Sequence, residues 1–211
     1  MARVTPNSSG EEILRWYNTH PSSDKWLREN RMRRVSNLCK LVKEGEIVLD
    51  VGCGSGTHLA TLAEREIKGY GMTASRPEYE EARRLYPSIP VKHLLFEDYR
   101  IPWDVTTVMF ADSLEHLRDL DAVFRRIDYI PNIVACIPTA DLKEGEKYGH
   151  LHKFTPRSIR KLFDKHGFKV TTFYKDEGWY FVRAEKKVPL FKKIISYVVS
   201  NAPTLVLKSN P

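Results

Sequence analysis

The segment Val48-Leu49-Asp50-Val51-Gly52-Cys53-Gly54-Ser55-Gly56-Thr57 constrains the fold more than any other part of the chain. A short apolar run leads into an acidic residue and then into three glycines at alternate positions. Helix-compatible sequence follows. A strand that turns this tightly into a helix belongs to an open α/β sheet, whose ligands bind at the carboxyl ends of the strands. Glycines there let a ligand approach the main chain without interference from a Cβ. Asp50 can receive a ligand ammonium, directly or through water. The spacing separates this loop from two relatives. In Gly52-Cys53-Gly54-Ser55-Gly56 the third glycine comes one residue earlier than in the dinucleotide pattern Gly-x-Gly-x-x-Gly. The Gly-Lys-Ser/Thr ending of a phosphate-binding P-loop is absent.

The rest of the chain alternates strand and helix patterns around this loop. Residues 47–51, 67–73, 91–95, 105–111 and 132–137 read as strands. Residues 58–65, 76–85 and 122–127 read as helices between them. Thr155-Pro156 opens another helix that stops at Gly167. Residues 169–175 and 179–185 flank Asp176-Glu177-Gly178 and read as a hairpin. The pattern predicts a Rossmann-like, doubly wound α/β sheet of seven strands, mostly parallel, with an antiparallel C-terminal hairpin strand. Residues 1–45 form an N-terminal helical cap on the core 46–187. One cap helix opens at a Ser9/Glu12 capping box and a second near Ser22 or Ser23. Ser75-Arg76-Pro77-Glu78 reads as a further capping box. In the tail 188–211, Leu190, Phe191, Ile194, Ile195, Val198 and Val199 fall on one helical face, with Lys192 and Lys193 off it. That tail is expected to dock on the domain or to lie on an anionic membrane surface.

Composition narrows the setting. The 211 residues are 42% hydrophobic and 29% charged, a globular balance. Three cysteines, Cys39, Cys53 and Cys136, do not form a disulfide framework and fit a reducing cytoplasm. The opening residues carry no apolar secretory segment. The formal charge of +7 favours anionic partners. It concentrates in Arg28, Arg31, Arg33 and Arg34, and in Lys186, Lys187, Lys192 and Lys193.

Three further segments complete a resemblance. They are Phe110-Ala111-Asp112-Ser113-Leu114-Glu115-His116-Leu117, the strand pattern 132–138 ending in proline, and His152-Lys153-Phe154-Thr155 followed by Leu162 and Gly167-Phe168. Together with the glycine loop they resemble class I S-adenosylmethionine (SAM)-dependent methyltransferases. The branch they are most similar to is the small-molecule one that includes the ubiquinone-biosynthesis O-methyltransferases. The resemblance implies SAM as cofactor, with Gly52, Cys53, Gly54 and Gly56 around its methionine and ribose parts. It implies Asp50 at the ammonium, Glu97 or Asp98 near the adenine, and Asp112 bordering the methionine side. The family's ribose-binding acid at the end of the second strand is replaced by Thr73. Weaker SAM binding is therefore expected, and Thr73→Asp is expected to tighten it, unless Ser75 or Glu78, which read as the capping box of the next helix, already fills the role.

Candidates for a base are His116 and His152, with His150 and Glu115 behind them. His116 reads equally well as a helix-start cap, and His152 as local scaffolding. No metal site is expected. The acceptor is expected to be a small molecule, with oxygen the favoured atom. Trp16, Tyr17, Trp26 and Tyr148 are available either to line a pocket for an aromatic or lipid-like acceptor or to staple the cap. An RNA methyltransferase using the arginines as a phosphate track is one alternative. A non-enzymatic SAM-binding subunit is another. The Asn/Asp-Pro-Pro-Tyr/Phe motif of enzymes that methylate planar amino groups is missing after the fourth strand.

Overall fold

The structure, a computed structural model, describes residues 4–5, 7–19, 26–139 and 149–187, the side chains of 26–31 excepted. The proposed helix start at Ser22 or Ser23, the side chains of Trp26, Arg28 and Arg31, Tyr148, and the tail 188–211 lie outside the described residues.

Strand β1 (Val48–Val51) is buried at every position, as expected of a parallel strand covered on both faces. It pairs in parallel with β2 (Gly69–Thr73) on one side and β4 (Thr107–Ala111) on the other. Outside these lie β3 (Val91–His93) and β5 (Asn132–Pro138), also parallel. Strand β7 (Trp179–Lys186) inserts antiparallel between β5 and β6 (Phe168–Asp176). The sheet order is β3-β2-β1-β4-β5-β7-β6. The seven strands and the single antiparallel one match the sequence reading. Chain order reverses between β1 and β4, the switch point at which open α/β sheets bind ligands.

Alternate residues of each strand feed the two faces. Leu49, Val51, Val108 and Phe110 pack with Val123 and Phe124 of helix α5 (Leu120–Arg126) and with Ile159 and Phe163 of α6 (Pro156–Lys165). Val48, Met109, Val134 and Cys136 pack on the other side. There they meet Val35 and Leu38 of α2 (Trp26–Cys39) and Leu62 of α3 (Thr57–Ala63). Arg183 ties that second face together. It is almost fully buried and bonds Glu46 at 2.6 Å, Asn132 at 3.0 Å and the Leu41 carbonyl at 2.8 Å. A buried charge is tolerated only with such partners. Among the described residues no helix is long and apolar enough to cross a membrane.

The caps mostly follow the sequence. Helix α1 (Gly10–Thr19) opens on the Ser9/Glu12 box, with both reciprocal bonds formed at 3.2 and 2.6 Å. Thr155 and Ser158 box the start of α6, and Gly167 ends it at φ +77°. Helix α4 (Arg76–Leu85) departs from expectation. Ser75 stands at its N-cap, but the hydroxyl makes no capping bond and is buried without a hydrogen-bond partner among the described residues. The reason lies two residues earlier. Thr73 Oγ1 already accepts the Ser75 N–H at 3.2 Å, the bond that Glu78 would make in a capping box. Glu78 turns toward the glycine loop instead.

Candidate active site

The glycine loop leaves β1 with two backbone bonds to one acceptor, since Gly52 N and Cys53 N both donate to the Met72 carbonyl at 2.9 Å. Its glycines have different tasks. A Cβ on Gly52, at φ +80°, would lie 2.8 Å from Ser113 Cβ. That glycine lets the loops after β1 and β4 touch. Gly56 sits against Tyr86 and Ala82 of the α4 segment. The atoms nearest to a Cβ on Gly54, at φ +53°, would be those of the Glu78 carboxyl group, at 3.7–3.8 Å. Gly54 thus brings the loop against the first turn of α4. Asp50 is fully buried beneath this loop. Among the described residues neither of its oxygens has a hydrogen-bond partner, and burial pushes its pKa up to about 8. An orphaned carboxylate under a glycine cradle fits a ligand that brings a cation, such as the ammonium of SAM.

At the tip of β2, Thr73 is buried. Its hydroxyl accepts from Ser75 N–H and donates to Glu78 Oε2 at 3.4 Å. The hydroxyl assigned to the ribose by the sequence reading is thus committed within the protein. Glu97 and Asp98 lie on a short 3-10 turn, Phe96–Asp98. Both are exposed, and Glu97 pairs with Arg118 at 2.8 Å.

The tip of β4 carries the second half of the site. Asp112 adopts φ +58°, uncommon for a residue with a side chain. Its Oδ2 accepts from Arg34 at 2.9 Å and its Oδ1 from Trp179 Nε1 at 3.0 Å. Burial raises its pKa, but Arg34 and the Trp179 bond outweigh that and hold it below the usual carboxylate range. Asp112, expected to border the methionine, is already engaged by α2 and β7. Neither Arg34 nor Trp179 is signalled by any local motif.

Glu115 follows on a 3-10 turn, Leu114–His116. It is fully buried, and its carboxyl oxygens have no hydrogen-bond partner among the described residues. Two imidazoles flank it, with His116 Nε2 at 4.0 Å and His150 Nε2 at 3.9 Å from Oε1. The two rings meet edge to face, 4.8 Å between centroids. His116 Nδ1 lies 3.2 Å from the Gly149 carbonyl, so that nitrogen carries the proton and Nε2 is turned to the cluster. Burial, then His150, lower the His116 pKa to about 4. Burial, then Asp112, push Glu115 well up. Burial thus disfavours the charged form of both groups. The donor atoms of Glu115, His116 and His150 lie within 4.8 Å of one another, a carboxylate–imidazole set of the kind that also holds divalent ions. Spacing in the sequence did not reveal this triplet. Only Glu115 and His116 are neighbours, and the third member arrives on a distant loop.

His152 takes a different part. Its Nε2 lies 2.7 Å from the Leu117 carbonyl, and its backbone N–H bonds the Glu115 carbonyl at 3.2 Å. It fixes the turn that carries Glu115 and does not join the cluster. Helix α1 covers the site. Tyr17 packs on the His116 ring at 6.0 Å. Trp16 occupies the position that a Cβ on Gly149 would take, 2.9 Å away. Burial raises the Tyr17 phenol, and the charges of Glu115 and Glu78 add to that. Tyr17 thus stands where the two halves of the site meet.

Comparison with known proteins agrees with this architecture. No curated protein matches the sequence. Solved structures do, at 11–17% identity, a level that speaks to the fold. Magnesium protoporphyrin IX methyltransferase from Synechocystis with bound SAH is 17% identical at TM-score 0.60, over 86% of this chain and 96% of that one. Geranyl diphosphate C-methyltransferase from Streptomyces coelicolor is 11% identical at TM-score 0.67, over 84% and 98%. A methyltransferase complexed with the Trm112 activator of Haloferax volcanii is 14% identical at TM-score 0.63, over 86% and 99%. The methyltransferase-domain family matches residues 23–172. With the class I sheet, the glycine cradle and that match in place, the chain belongs to the methyltransferase-domain family, whose methyl donor is SAM.

Proposed function

We propose that this enzyme transfers the methyl group of SAM to a small-molecule acceptor, at oxygen. The Glu115–His116–His150 cluster carries the reading. SAM supplies an activated methyl on sulfur, and a neutral hydroxyl is a poor nucleophile until its proton is removed. A buried carboxylate with a raised pKa, flanked by imidazoles, suits that removal near neutral pH. A carbon or amine nucleophile has less need of it. Tyr17 and Trp16 above the cluster offer an aromatic roof for the acceptor.

Charge bears on the size of the acceptor. An RNA substrate would need free cations. Arg33 pairs with Asp176 at 2.6 Å and Glu177 at 3.2 Å, and Arg34 is held by Asp112. Half of the arginine cluster is thus engaged within the protein. The solved relatives that act on a porphyrin and on geranyl diphosphate are in keeping with a small substrate.

The test is incubation of the protein with deuteromethyl-SAM and either a metabolite extract or total RNA, followed by mass spectrometry. A labelled methyl ether or ester among the metabolites is the expected result. Label confined to RNA, or to nitrogen or carbon of a metabolite, would overturn the reading.

A further inference from the structure

The tip of β2 lacks the acidic residue that a nucleoside diol calls for, yet an acid stands beside it. Glu78 sits on the first turn of α4, where a capping box with Ser75 is the ordinary outcome. That outcome is blocked, because Thr73 Oγ1 holds the Ser75 N–H at 3.2 Å. The same hydroxyl donates its proton to Glu78 Oε2 at 3.4 Å. One side chain thus satisfies the cap and pulls the glutamate away from it. The Glu78 carboxyl group comes to rest against Gly54, with both oxygens 3.7–3.8 Å from where a Cβ would be. Gly54 is the central glycine of the loop.

We propose that Glu78, held in place by Thr73, is the acceptor for the vicinal hydroxyls of the nucleoside bound at the glycine loop. The inference rests on the loop being the SAM site. A carboxylate can accept from two adjacent hydroxyls at once, and charge-assisted bonds of this kind are about twice as strong as neutral ones. Thr73 cannot do this itself, since its proton lies on Glu78 and a lone pair on Ser75 N–H. Its part is positioning. The acid has moved from the strand to the helix that follows it, five residues later in sequence.

This arrangement reverses the expectation drawn from sequence for Thr73→Asp. A second carboxylate at that position would face Glu78 at hydrogen-bond distance and remove the hydroxyl that orients it. Like charges so close disfavour one another.

Calorimetric titration with S-adenosylhomocysteine and with its 2′-deoxy analogue tests the proposal, with thermal melts to confirm that each variant is folded. Glu78→Gln should weaken S-adenosylhomocysteine about 10–100-fold, the span for a hydrogen bond to a charged group. It should also abolish the preference for the ribose over the deoxyribose ligand, which a structural role alone would leave intact. Thr73→Val should lose affinity several-fold and Thr73→Ser should behave as wild type. Thr73→Asp should bind more weakly than wild type, and Thr73→Asp combined with Glu78→Gln should recover most of the loss. Unchanged affinity and an unchanged ribose preference in Glu78→Gln would overturn the proposal, as would tighter binding by Thr73→Asp alone. If the wild type binds neither ligand, the assignment of the loop to SAM fails, and this inference fails with it.

Discussion

Arg34 reaches from α2 to Asp112 at the end of β4, Nη1 to Oδ2 at 2.9 Å, with its guanidinium 4.7 Å from the centre of the Trp179 ring. The pair is mostly shielded from solvent. Arg34→Met leaves Asp112 charged and half-partnered, and should lower stability by ~1–3 kcal/mol. Combining it with Asp112→Asn should cost less than the two single losses together, because the residues share one interaction. The sign with pH follows from the lowered pKa of Asp112. Its contribution is present above the ordinary carboxylate pKa and is lost as pH falls through the lowered one. Urea melts of the four proteins at neutral and acid pH measure both effects, and simple additivity would remove the coupling.

Glu115→Gln should reduce turnover by about 10²–10⁴-fold while SAM affinity stays within a few-fold. Wild-type kcat should rise with pH as the raised Glu115 carboxyl loses its proton, and the glutamine variant should lose that rise. His116→Ala should cost less. With a pKa of about 4 that ring is neutral across the working range and serves to position. Repeating the profiles with EDTA separates a bare carboxylate from one that works through a bound cation.

Asp50 makes the apo protein sensitive to alkali. Its pKa is raised to about 8 in the folded state, so the native form holds a proton that the unfolded chain releases near pH 4. Stability should therefore fall as pH rises from about 4 to about 8 and level off above. Asp50→Asn should flatten that slope and raise the melting temperature at pH 8, where ~1 kcal/mol corresponds to roughly 2–4 °C for a domain of this size. A cation bound over Asp50 favours its charged form, so saturating S-adenosylhomocysteine should narrow the difference between the two proteins. Identical slopes with and without Asp50 would exclude it as the source.

Two glycines of one loop should fail in different ways. Gly54→Val should abolish SAM binding in a folded protein, because the branched side chain enters ligand space and opposes φ +53°. Gly52→Ala should instead destabilise the fold, since its new Cβ would collide with Ser113 Cβ at 2.8 Å. Melting temperature and ligand titration together sort the two.

The sequence was most legible where local chemistry decides. The apolar run into three glycines located β1, its turn and the carboxyl edge of the sheet. Asp176-Glu177-Gly178 located the hairpin, and Thr155-Pro156 and Gly167 bounded α6. It was less legible where long-range contacts decide. Ser75 and Glu78 have the spacing of a capping box, and only the folded β2 tip brings Thr73 to the N–H they would share. His150 reads as an ordinary loop histidine until Gly149 packs under Trp16. His152, the better candidate by motif, is drawn off by the Leu117 carbonyl. Arg34 belongs to what reads as a solvated basic helix, and its partner lies 78 positions away.

The antiparallel β7 has a consequence for the order of assembly. It pairs with every residue of β5, and Trp179 at its start donates to the Asp112 carboxylate opposite Arg34. A nascent chain not yet extended to Trp179 can form the parallel strands and the glycine loop, since amino-terminal parts fold first during synthesis. In such a chain β5 would be an unpaired edge, exposed to association with other chains. The glycine loop is encoded early in translation, and Asp112 gains its Trp179 bond only when β7 is threaded into the sheet. A ribosome stalled between the two would carry a formed glycine loop beside an Asp112 that β7 has not yet bonded.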